Sequence, residues 1–238
     1  QRLAELYTRV NTNPLGAGPV GGTSININRK RTTELLGFDG IHENAIDATS
    51  ARDWAVETAS VCAIILCDLS RLSADILEWS TVEFGYIELS DEFSSSSSIM
   101  PQKKNPSTIE LLRGKSGEAT GALMELLTMT KGLGSGYVQD LQETKLTLWR
   151  TVYNTQICLE IMAGAVATMK IKNEKLAKPL VGNFALATEL AEAGIRRLGP
   201  TRRGLAVPAI EPGCTQLVHG ASGDVGRHGD DAPGSDAD

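Results

Sequence analysis

The 238-residue sequence predicts an all-α protein in which long helices form a bundle. Apolar residues recur at three- and four-residue steps over residues 50–79, which is the spacing of an amphipathic helix. Residues 106–131 and 141–169 are two further long stretches of helical character, and no stretch alternates as strands do. Long helices joined by loops indicate a bundle, whose sites are built from facing helices and their connections.

The part of the chain before the first long helix is predicted to hold only short elements. Residues 1–9 are expected to end a helix, and residues 11–28 to form a loop because Gly and Pro are frequent there. Residues 29–36 predict a short helix that ends at Gly37. Ser50 is the predicted N-cap of the first long helix.

The connections between the long helices are polar or rich in glycine. A loop over residues 91–105, with five consecutive serines, leads into the second long helix. Pro106 is predicted at the first position of that helix, with Asn105 as its cap. A glycine-rich turn over residues 132–136 precedes the third long helix, and a last helix is expected over residues 183–198.

The tail over residues 201–238 differs in composition from the rest of the chain. It is rich in Gly and acidic residues and contains no aromatic residue. Such a segment buries too little apolar surface to repay its ordering entropy. We expect the tail to be disordered or non-native.

Composition and charge exclude several classes of function. A net charge of −6, from 23 basic and 29 acidic residues, argues against nucleic-acid binding, which needs a basic face. No apolar run approaches the roughly 20 residues of a membrane span, and the first residues do not resemble a secretory signal. The sequence starts without Met and within a helical pattern, so we expect an N-terminally truncated chain.

The cysteines and histidines do not predict a metal site. Cys62, Cys67, Cys158 and Cys214 show no Cys-x-x-Cys spacing, and three of the four lie in apolar helical segments. We expect reduced thiols in the core. Only three histidines occur, and two of them lie in the tail.

The serine-rich loop carries the strongest chemical signal. Hydroxyls, amides and two lysines, Lys103 and Lys104, come directly before a predicted helix N-terminus, where N–H groups and the helix dipole favour an anion. Nearby lysines lower the free-energy cost of a serine alkoxide or bind a carboxylate. The residues alone predict an anion site, with a flexible linker and a solvated lysine pair as the alternative.

Several segments together resemble one protein family. The sequence S-S-I-M-P-Q-K-K-N-P at 97–106 resembles the signature loop of the fumarase/aspartase superfamily, and its Q-K-K is similar to the argininosuccinate lyase and delta-crystallin branch. Three further segments resemble family motifs: the glycine-rich residues 14–23, E-N-A-I-D-A-T-S-A-R-D at 43–53 and Y-V-Q-D-L-Q-E-T-K at 137–145. Residues 178–191 resemble the start of the family's small C-terminal domain.

The resemblance implies an organisation and an activity. It implies a partial central helical-bundle domain over residues 1–175 and the start of a small C-terminal helical domain over residues 176–200. It further implies a cytoplasmic homotetramer of arginine biosynthesis, without metal or organic cofactor, whose active sites are shared between subunits. The implied reaction cleaves argininosuccinate to arginine and fumarate.

The matching positions also imply site residues. Ser97 matches the catalytic base, Lys103 the cation that stabilises the carbanion, and Glu110 the carboxylate that partners the family's catalytic histidine. Ser96 stands where the family often has Gly. The segment that carries the family's catalytic histidine is not found in this sequence, and His42 lies in a different motif. We therefore expect this chain alone to be inactive. The implied substrate contacts are Arg52, Ser98, Asn105, Tyr137, Gln142 and Lys145.

Three alternatives stay open at this point. One is another lyase of the superfamily, such as adenylosuccinate lyase, aspartase or fumarase, against which residues 102–104 and 140–143 argue. The second is a non-catalytic structural homologue of the delta-crystallin kind. The third is an inert fragment that folds poorly and binds nothing.

Overall fold

The computed structural model describes residues 1–180 and 187–198, and it confirms the all-α helical bundle. The chain divides into two units, Gln1–Lys172 and a second that begins at Asn173. The helices are α1 (Arg2–Val10), α2 (Arg29–Leu36), α3 (Ala45–Ser50), α4 (Asp53–Trp79), α5 (Ser107–Thr130), α6 (Thr144–Thr168), α7 (Asn173–Ala177) and α8 (Ala187–Leu198).

The three long helices α4, α5 and α6 form the core of the first unit. Helices α5 and α6 are antiparallel, since Glu125 near the end of α5 accepts a hydrogen bond from Thr147 near the start of α6. The apolar stripes predicted from the sequence meet in this core, where the largest fully buried apolar side chains are Leu66, Ile76, Ile109, Leu112 and Leu126.

Two pairs of very short strands hold the ends of the bundle together, and the sequence did not predict them. Strands β1 (Thr12–Asn13) and β2 (Gly40–Ile41) pair in parallel, and strands β3 (Ile87–Glu88) and β4 (Lys170–Ile171) pair antiparallel. Each strand has two residues, which is too short for alternation to appear in the sequence.

The predicted start of the first long helix is wrong. Ser50 ends α3 instead of capping α4, and its hydroxyl donates to the carbonyl of Ile46. The side chain of Asn44 caps α3 by accepting from the N–H groups of Ile46 and Asp47. The stretch therefore contains two helices with a break before Asp53, since α4 begins there.

The predicted start of the second long helix is displaced by one residue. Helix α5 begins at Ser107, so that Pro106 is the N-cap residue and no side chain caps this end. Asn105 therefore lies one residue before the N-cap position, and its backbone N–H and C=O both bond to Ser95. The third long helix begins at Thr144, later than predicted, because residues Gln139–Gln142 form a 3-10 turn.

The expected end of α2 is confirmed, and the expectation of core thiols is confirmed at two of the three described cysteines. Helix α2 ends at Gly37, which has a φ of 73°, a conformation that favours glycine. Cys62 and Cys158 are buried free thiols, but Cys67 is exposed because it lies on the outer face of α4, so the expectation of a core thiol is wrong there. Cys214 lies outside the described residues.

In the second unit the structure describes α7, a 3-10 turn at Lys178–Leu180 and α8. The predicted last helix is present over Ala187–Leu198, while its first predicted residues, 183–186, lie outside the described residues. The stop at 199–200 and the tail at 201–238 lie outside them as well. No helix in the described part of the chain is long and apolar enough to cross a membrane.

Candidate active site

The serine loop, defined as residues 94–106, is closed at its base by backbone hydrogen bonds. The Ser95 N–H donates to the Asn105 carbonyl at 2.9 Å, and the Asn105 N–H donates to the Ser95 carbonyl at 2.8 Å. At the tip, Ser97 Oγ accepts from the N–H groups of Ile99 and Met100, both at 3.3 Å. The Ser97 oxygen is therefore surrounded by donors, which favour negative charge on it.

The two lysines of the serine loop have different surroundings. Lys104 Nζ lies 2.6 Å from Asp91 Oδ1 and 3.4 Å from Glu88 Oε1. These carboxylates, Asp91 most strongly, raise the pKa of Lys104 above its ordinary value. Lys103 is exposed and has no ion-pair partner among the described residues. Its charge is therefore available to an anionic ligand.

Glu110 lies at the same end of the bundle as the serine loop. It lies on the first turn of α5, directly after the serine loop, and its side chain is exposed. A carboxylate in the first turn of a helix is stabilised by the helix dipole. The structure thus brings five predicted site residues to one end of the bundle, namely Ser97, Ser98, Lys103, Asn105 and Glu110.

A second group of predicted residues forms a chain of hydrogen bonds at the start of α6. Gln142 Nε2 donates to Tyr137 Oη at 3.0 Å, and Lys145 Nζ donates to Gln142 Oε1 at 2.6 Å. The Tyr137 hydroxyl donates in turn to Gln139 Oε1 at 2.7 Å. The side chains of Tyr137, Gln142 and Lys145 are thereby fixed relative to one another.

Arg52 lies next to this group. Its guanidinium donates to the carbonyls of Ala51 at 2.8 Å and Thr49 at 3.4 Å. Partial burial lowers the pKa of Arg52, and interaction with Tyr137 opposes that shift. We call Arg52, Tyr137, Gln142 and Lys145 the tyrosine cluster. It has two cationic groups and one phenol, a set suited to carboxylates.

The glycine-rich loop lies at the same end as the tyrosine cluster. The Thr49 hydroxyl donates to the Gly18 carbonyl at 3.0 Å, and Val20 packs so closely on Gly136 that a Cβ there would meet it at 3.1 Å. Gly18 itself has a φ of 65°, and a Cβ there would lie 2.4 Å from the Gly22 carbonyl oxygen. Three of the segments that resemble family motifs therefore meet here.

The serine loop and the tyrosine cluster lie at opposite ends of the bundle. The chain leading into the serine loop contacts the end of α6, where Ser90 and Thr168 hydroxyls are 3.0 Å apart. The tyrosine cluster lies at the start of α6, at Lys145. Helix α5, with 24 residues at 1.5 Å per residue, separates the two by about 36 Å. One chain therefore does not bring all the predicted residues together.

His42 has a role in the fold at the glycine-rich end. Its Nε2 lies 2.7 Å from Asp47 Oδ2, and its Nδ1 lies 3.4 Å from Thr12 Oγ1. The His42 carbonyl also accepts from Arg29 at 2.9 Å. These contacts connect α2, β1 and α3, so they do not indicate a catalytic role.

Sequence reasoning missed the residues that support the predicted ones. Glu88 and Asp91 pair with Lys104, and Gln139 accepts from Tyr137. The sequence could have indicated Gln139, because it lies two residues from Tyr137 in the same motif. Within the described residues, no group of three or more His, Cys, Asp or Glu is placed to hold a metal ion.

A family model described as "Lyase" matches residues 1–121, which is half of the chain and includes the serine loop and Glu110. The chain belongs to this lyase family. An argininosuccinate lyase from Methanosarcina barkeri is 50% identical over 198 residues, which is 83% of this chain. An argininosuccinate lyase from Nitrosopumilus maritimus is 45% identical over 219 residues, which is 92% of this chain. These matches confirm the predicted resemblance.

The lyase-family chain is shorter than its relatives. It spans 40% of the Methanosarcina barkeri protein and 44% of the Nitrosopumilus maritimus protein. Among solved structures, an EDDS lyase variant with bound fumarate is 35% identical with a TM-score of 0.72, covering 84% of this chain and 39% of that one. The fold is shared with a 3-carboxy-cis,cis-muconate lactonizing enzyme from Pseudomonas putida, which is 21% identical with a TM-score of 0.62. That match covers 84% of this chain and 44% of the other.

Proposed function

We propose that this chain provides part of an argininosuccinate lyase, which cleaves argininosuccinate to arginine and fumarate. The observation that carries the proposal is the Ser97 hydroxyl oxygen, which accepts hydrogen bonds from two backbone N–H groups. The same loop holds Lys103, which has no ion-pair partner in the described part of the chain. The identity of 45–50% to argininosuccinate lyases supports the substrate. The EDDS lyase variant that resembles this chain was solved with fumarate, which supports that product.

The chemistry follows from the charge that the reaction creates. Ser97, as an alkoxide, takes a proton from the carbon beside a succinyl carboxylate, and the electron pair left on that carbon spreads into the carboxylate. The C–N bond then breaks, the pair forms the double bond of fumarate, and an acid protonates the departing guanidino nitrogen. Lys103 and the N–H groups of the loop stabilise both the alkoxide and the carbanion.

The remaining predicted residues bind and orient the substrate in this proposal. Ser98 and Asn105, on the serine loop, hold its carboxylates. Glu110 orients a histidine supplied by another part of the protein. The tyrosine cluster contacts the substrate from the other side, since its hydrogen-bonded donors are already arranged for anionic groups.

The separation of the two groups supports a shared site. Because the serine loop and the tyrosine cluster lie about 36 Å apart in one chain, a complete site takes them from different copies. Helix α6 also leaves apolar side chains exposed in one stripe, at Leu146 (73%), Trp149 (60%) and Tyr153 (64%). An exposed stripe of this kind favours association of copies. We propose a cytoplasmic homotetramer of arginine biosynthesis that uses no cofactor.

The proposal is tested in a chimera, in which the 198 matched residues of this chain replace the matched segment of the Methanosarcina barkeri argininosuccinate lyase. Fumarate release from argininosuccinate is measured for this chimera, for Ser97→Ala and for Ser96→Ala. We expect Ser97→Ala to lower kcat/KM about 10²- to 10⁴-fold, because it removes the proton acceptor. Ser96→Ala, which changes the neighbouring hydroxyl, is expected to stay within about twofold.

Three results would overturn the proposal. A folded chimera that releases no fumarate from argininosuccinate would favour a non-catalytic structural homologue, and release from adenylosuccinate instead would identify a different lyase. Equal activity of Ser97→Ala and Ser96→Ala would show that Ser97 is not the base.

A further inference from the structure

Four charged side chains form a compact group beside the serine loop, which we call the lysine clamp: Lys104, Glu88, Asp91 and Lys172. Lys104 Nζ lies 2.6 Å from Asp91 and 3.4 Å from Glu88, and Lys172 Nζ lies 2.9 Å from the other oxygen of Glu88. Two positive and two negative groups cancel, so the clamp carries no net charge. Only Lys104 belongs to the serine loop.

The carboxylates of the clamp are attached to the bundle. Glu88 lies in β3 and is paired in register with Lys170 of β4, the strand that follows α6. The N–H of Lys172 donates to the Tyr86 carbonyl at 2.8 Å, which continues this attachment. Asp91 begins the 3-10 turn Asp91–Phe93. The groups that hold Lys104 are therefore part of the framework of the bundle.

The turn that carries Asp91 is itself fixed against two helices. The Phe93 carbonyl accepts from the Thr108 hydroxyl of α5 at 2.6 Å. The Phe93 ring lies against Gly164 of α6, where an added Cβ would come within 2.4 Å of the ring. Little movement of the turn is allowed at such a contact, so the backbone that carries Asp91 is held in place. The Asp91 side chain itself is exposed.

The ion pairs of Lys104 connect the C-terminal part of the serine loop to this framework. Its neighbour Asn105 is held through the backbone by Ser95, and Lys104 is held through its side chain. Lys103 is next along the chain, and its N–H donates to the Met100 carbonyl at 3.0 Å. Fixing Lys104 therefore limits where Lys103 can lie.

We propose that Lys104 is a positioning residue, whose ion pairs with Glu88 and Asp91 hold the loop so that Lys103 alone serves the reacting carboxylate. The part of this inference that concerns Lys103 rests on the proposed function. The clamp itself rests on the contacts above. Without the pairs, two adjacent ammonium groups compete for one anion, and the loop is held by its backbone hydrogen bonds and its serine hydroxyls alone, such as that of Ser95, which bonds to Ser107.

The first test measures amide hydrogen exchange in the 238-residue chain. In Lys104→Met we expect the amides of Ser95, Lys103 and Asn105 to exchange about two- to fivefold faster, the effect of losing an exposed ion pair. Lys104→Arg should stay near the parent rate. Lys115→Met is the matched control, because it breaks the Lys115–Glu118 pair outside the loop. Unchanged exchange of the loop amides in Lys104→Met would overturn the clamp.

The second test measures kcat and KM in the chimera described above. Lys104→Met and Asp91→Asn are each expected to lower kcat about three- to tenfold with little change in KM, because both misplace Lys103. The double variant should be no worse than the poorer single variant, and Lys104→Arg should restore kcat.

The two tests separate the possible failures. A higher KM in Lys104→Met that Asp91→Asn does not reproduce would mean that Lys104 binds the substrate directly, which overturns the positioning role. If the parent chimera releases no fumarate, the proposed function fails, while the exchange measurement still decides whether the clamp holds the loop.

Discussion

At the residue scale, Ser97 and Tyr137 are held by different kinds of hydrogen bond. Within the residues that the structure describes, Ser97 Oγ accepts from backbone N–H groups of its own loop alone, at 3.3 Å. The Tyr137 hydroxyl is held by side chains, including Gln142 at 3.0 Å. Ser97 therefore moves with the backbone of the loop, and the contacts at its base control its position. The tyrosine cluster depends on the side chains within it.

The three described cysteines are expected to differ in reactivity. Burial raises the pKa of the Cys62 and Cys158 thiols, so little thiolate forms there at pH 8, whereas Cys67 is exposed. We expect iodoacetamide to alkylate Cys67 at least about tenfold faster, as followed by peptide mass spectrometry. Cys67→Ser should remove the fast reaction of that peptide. Equal rates at all three positions would contradict the described burial.

The Glu88 carboxyl predicts a dependence on pH at the base of the serine loop. Hydrogen bonds from Lys172 and then Lys104 hold the pKa of Glu88 below its ordinary value of 4.5. Because the pKa is lower in the folded state, the pairing stabilises that state above pH 4.5 and is lost as the pH falls through the folded pKa. We expect protection of the Lys172 amide, which bonds to Tyr86, to fall about two- to fivefold in acid.

The matched control for this pH dependence is Glu88→Gln. The glutamine side chain has no carboxyl group to titrate. The protection factor of the Lys172 amide, corrected for intrinsic exchange, should therefore not change over the same pH range in this variant. A parent chain and a Glu88→Gln variant with the same acid response would exclude Glu88 as its source.

Single residues also show how far the sequence could predict the site. The motif around residues 97–106 located Ser97 and Lys103, because its residues are contiguous in the chain. It could not separate the roles of Lys103 and Lys104. The partners of Lys104 lie 13 and 16 residues earlier, and Lys104 comes close to them because the loop folds back through the pairing of Ser95 with Asn105.

At the element scale, the long helices were predictable and their starts were not. A helix buries one face along its whole length, so its apolar period is repeated many times in α4, α5 and α6. A start depends on one or two residues. Asn44 and Ser50 are both residue types that cap helices, and only Asn44 does so here.

The contact between Phe93 and Gly164 predicts that a Gly→Ala substitution in a helix lowers the free energy of unfolding, where it normally raises it. Gly→Ala in a helix normally stabilises by about 0.5–1 kcal/mol, and Gly121→Ala on α5 should do so because its Cβ meets nothing within 4 Å. Gly164→Ala on α6 should instead destabilise by about 1–3 kcal/mol, because the Cβ would overlap the Phe93 ring. Urea unfolding of both variants measures the difference, and stabilisation by Gly164→Ala would contradict the contact.

At the scale of the whole molecule, topology explains why one chain holds two separated half-sites. Helix α5 carries the chain from the serine loop to the other end of the bundle, and Tyr137, Gln142 and Lys145 of the tyrosine cluster follow directly after it. The resemblance of residues 97–106 and 137–145 to family motifs located both groups in the sequence. Their separation was not predictable from the motifs, because it depends on the direction and length of the helix between them.

The measurement that most directly tests this account is complementation between two inactive variants of the chimera. Ser97→Ala damages one end of the bundle and Lys145→Met the other. After the two are unfolded together and refolded as a mixture, random assembly should restore about a quarter of the parent activity, in sites that combine both intact groups. Ser97→Ala mixed with Lys103→Met is the control and should stay inactive, because both changes lie in one loop. Fumarate release no greater from the first mixture than from the control would contradict a site completed between copies.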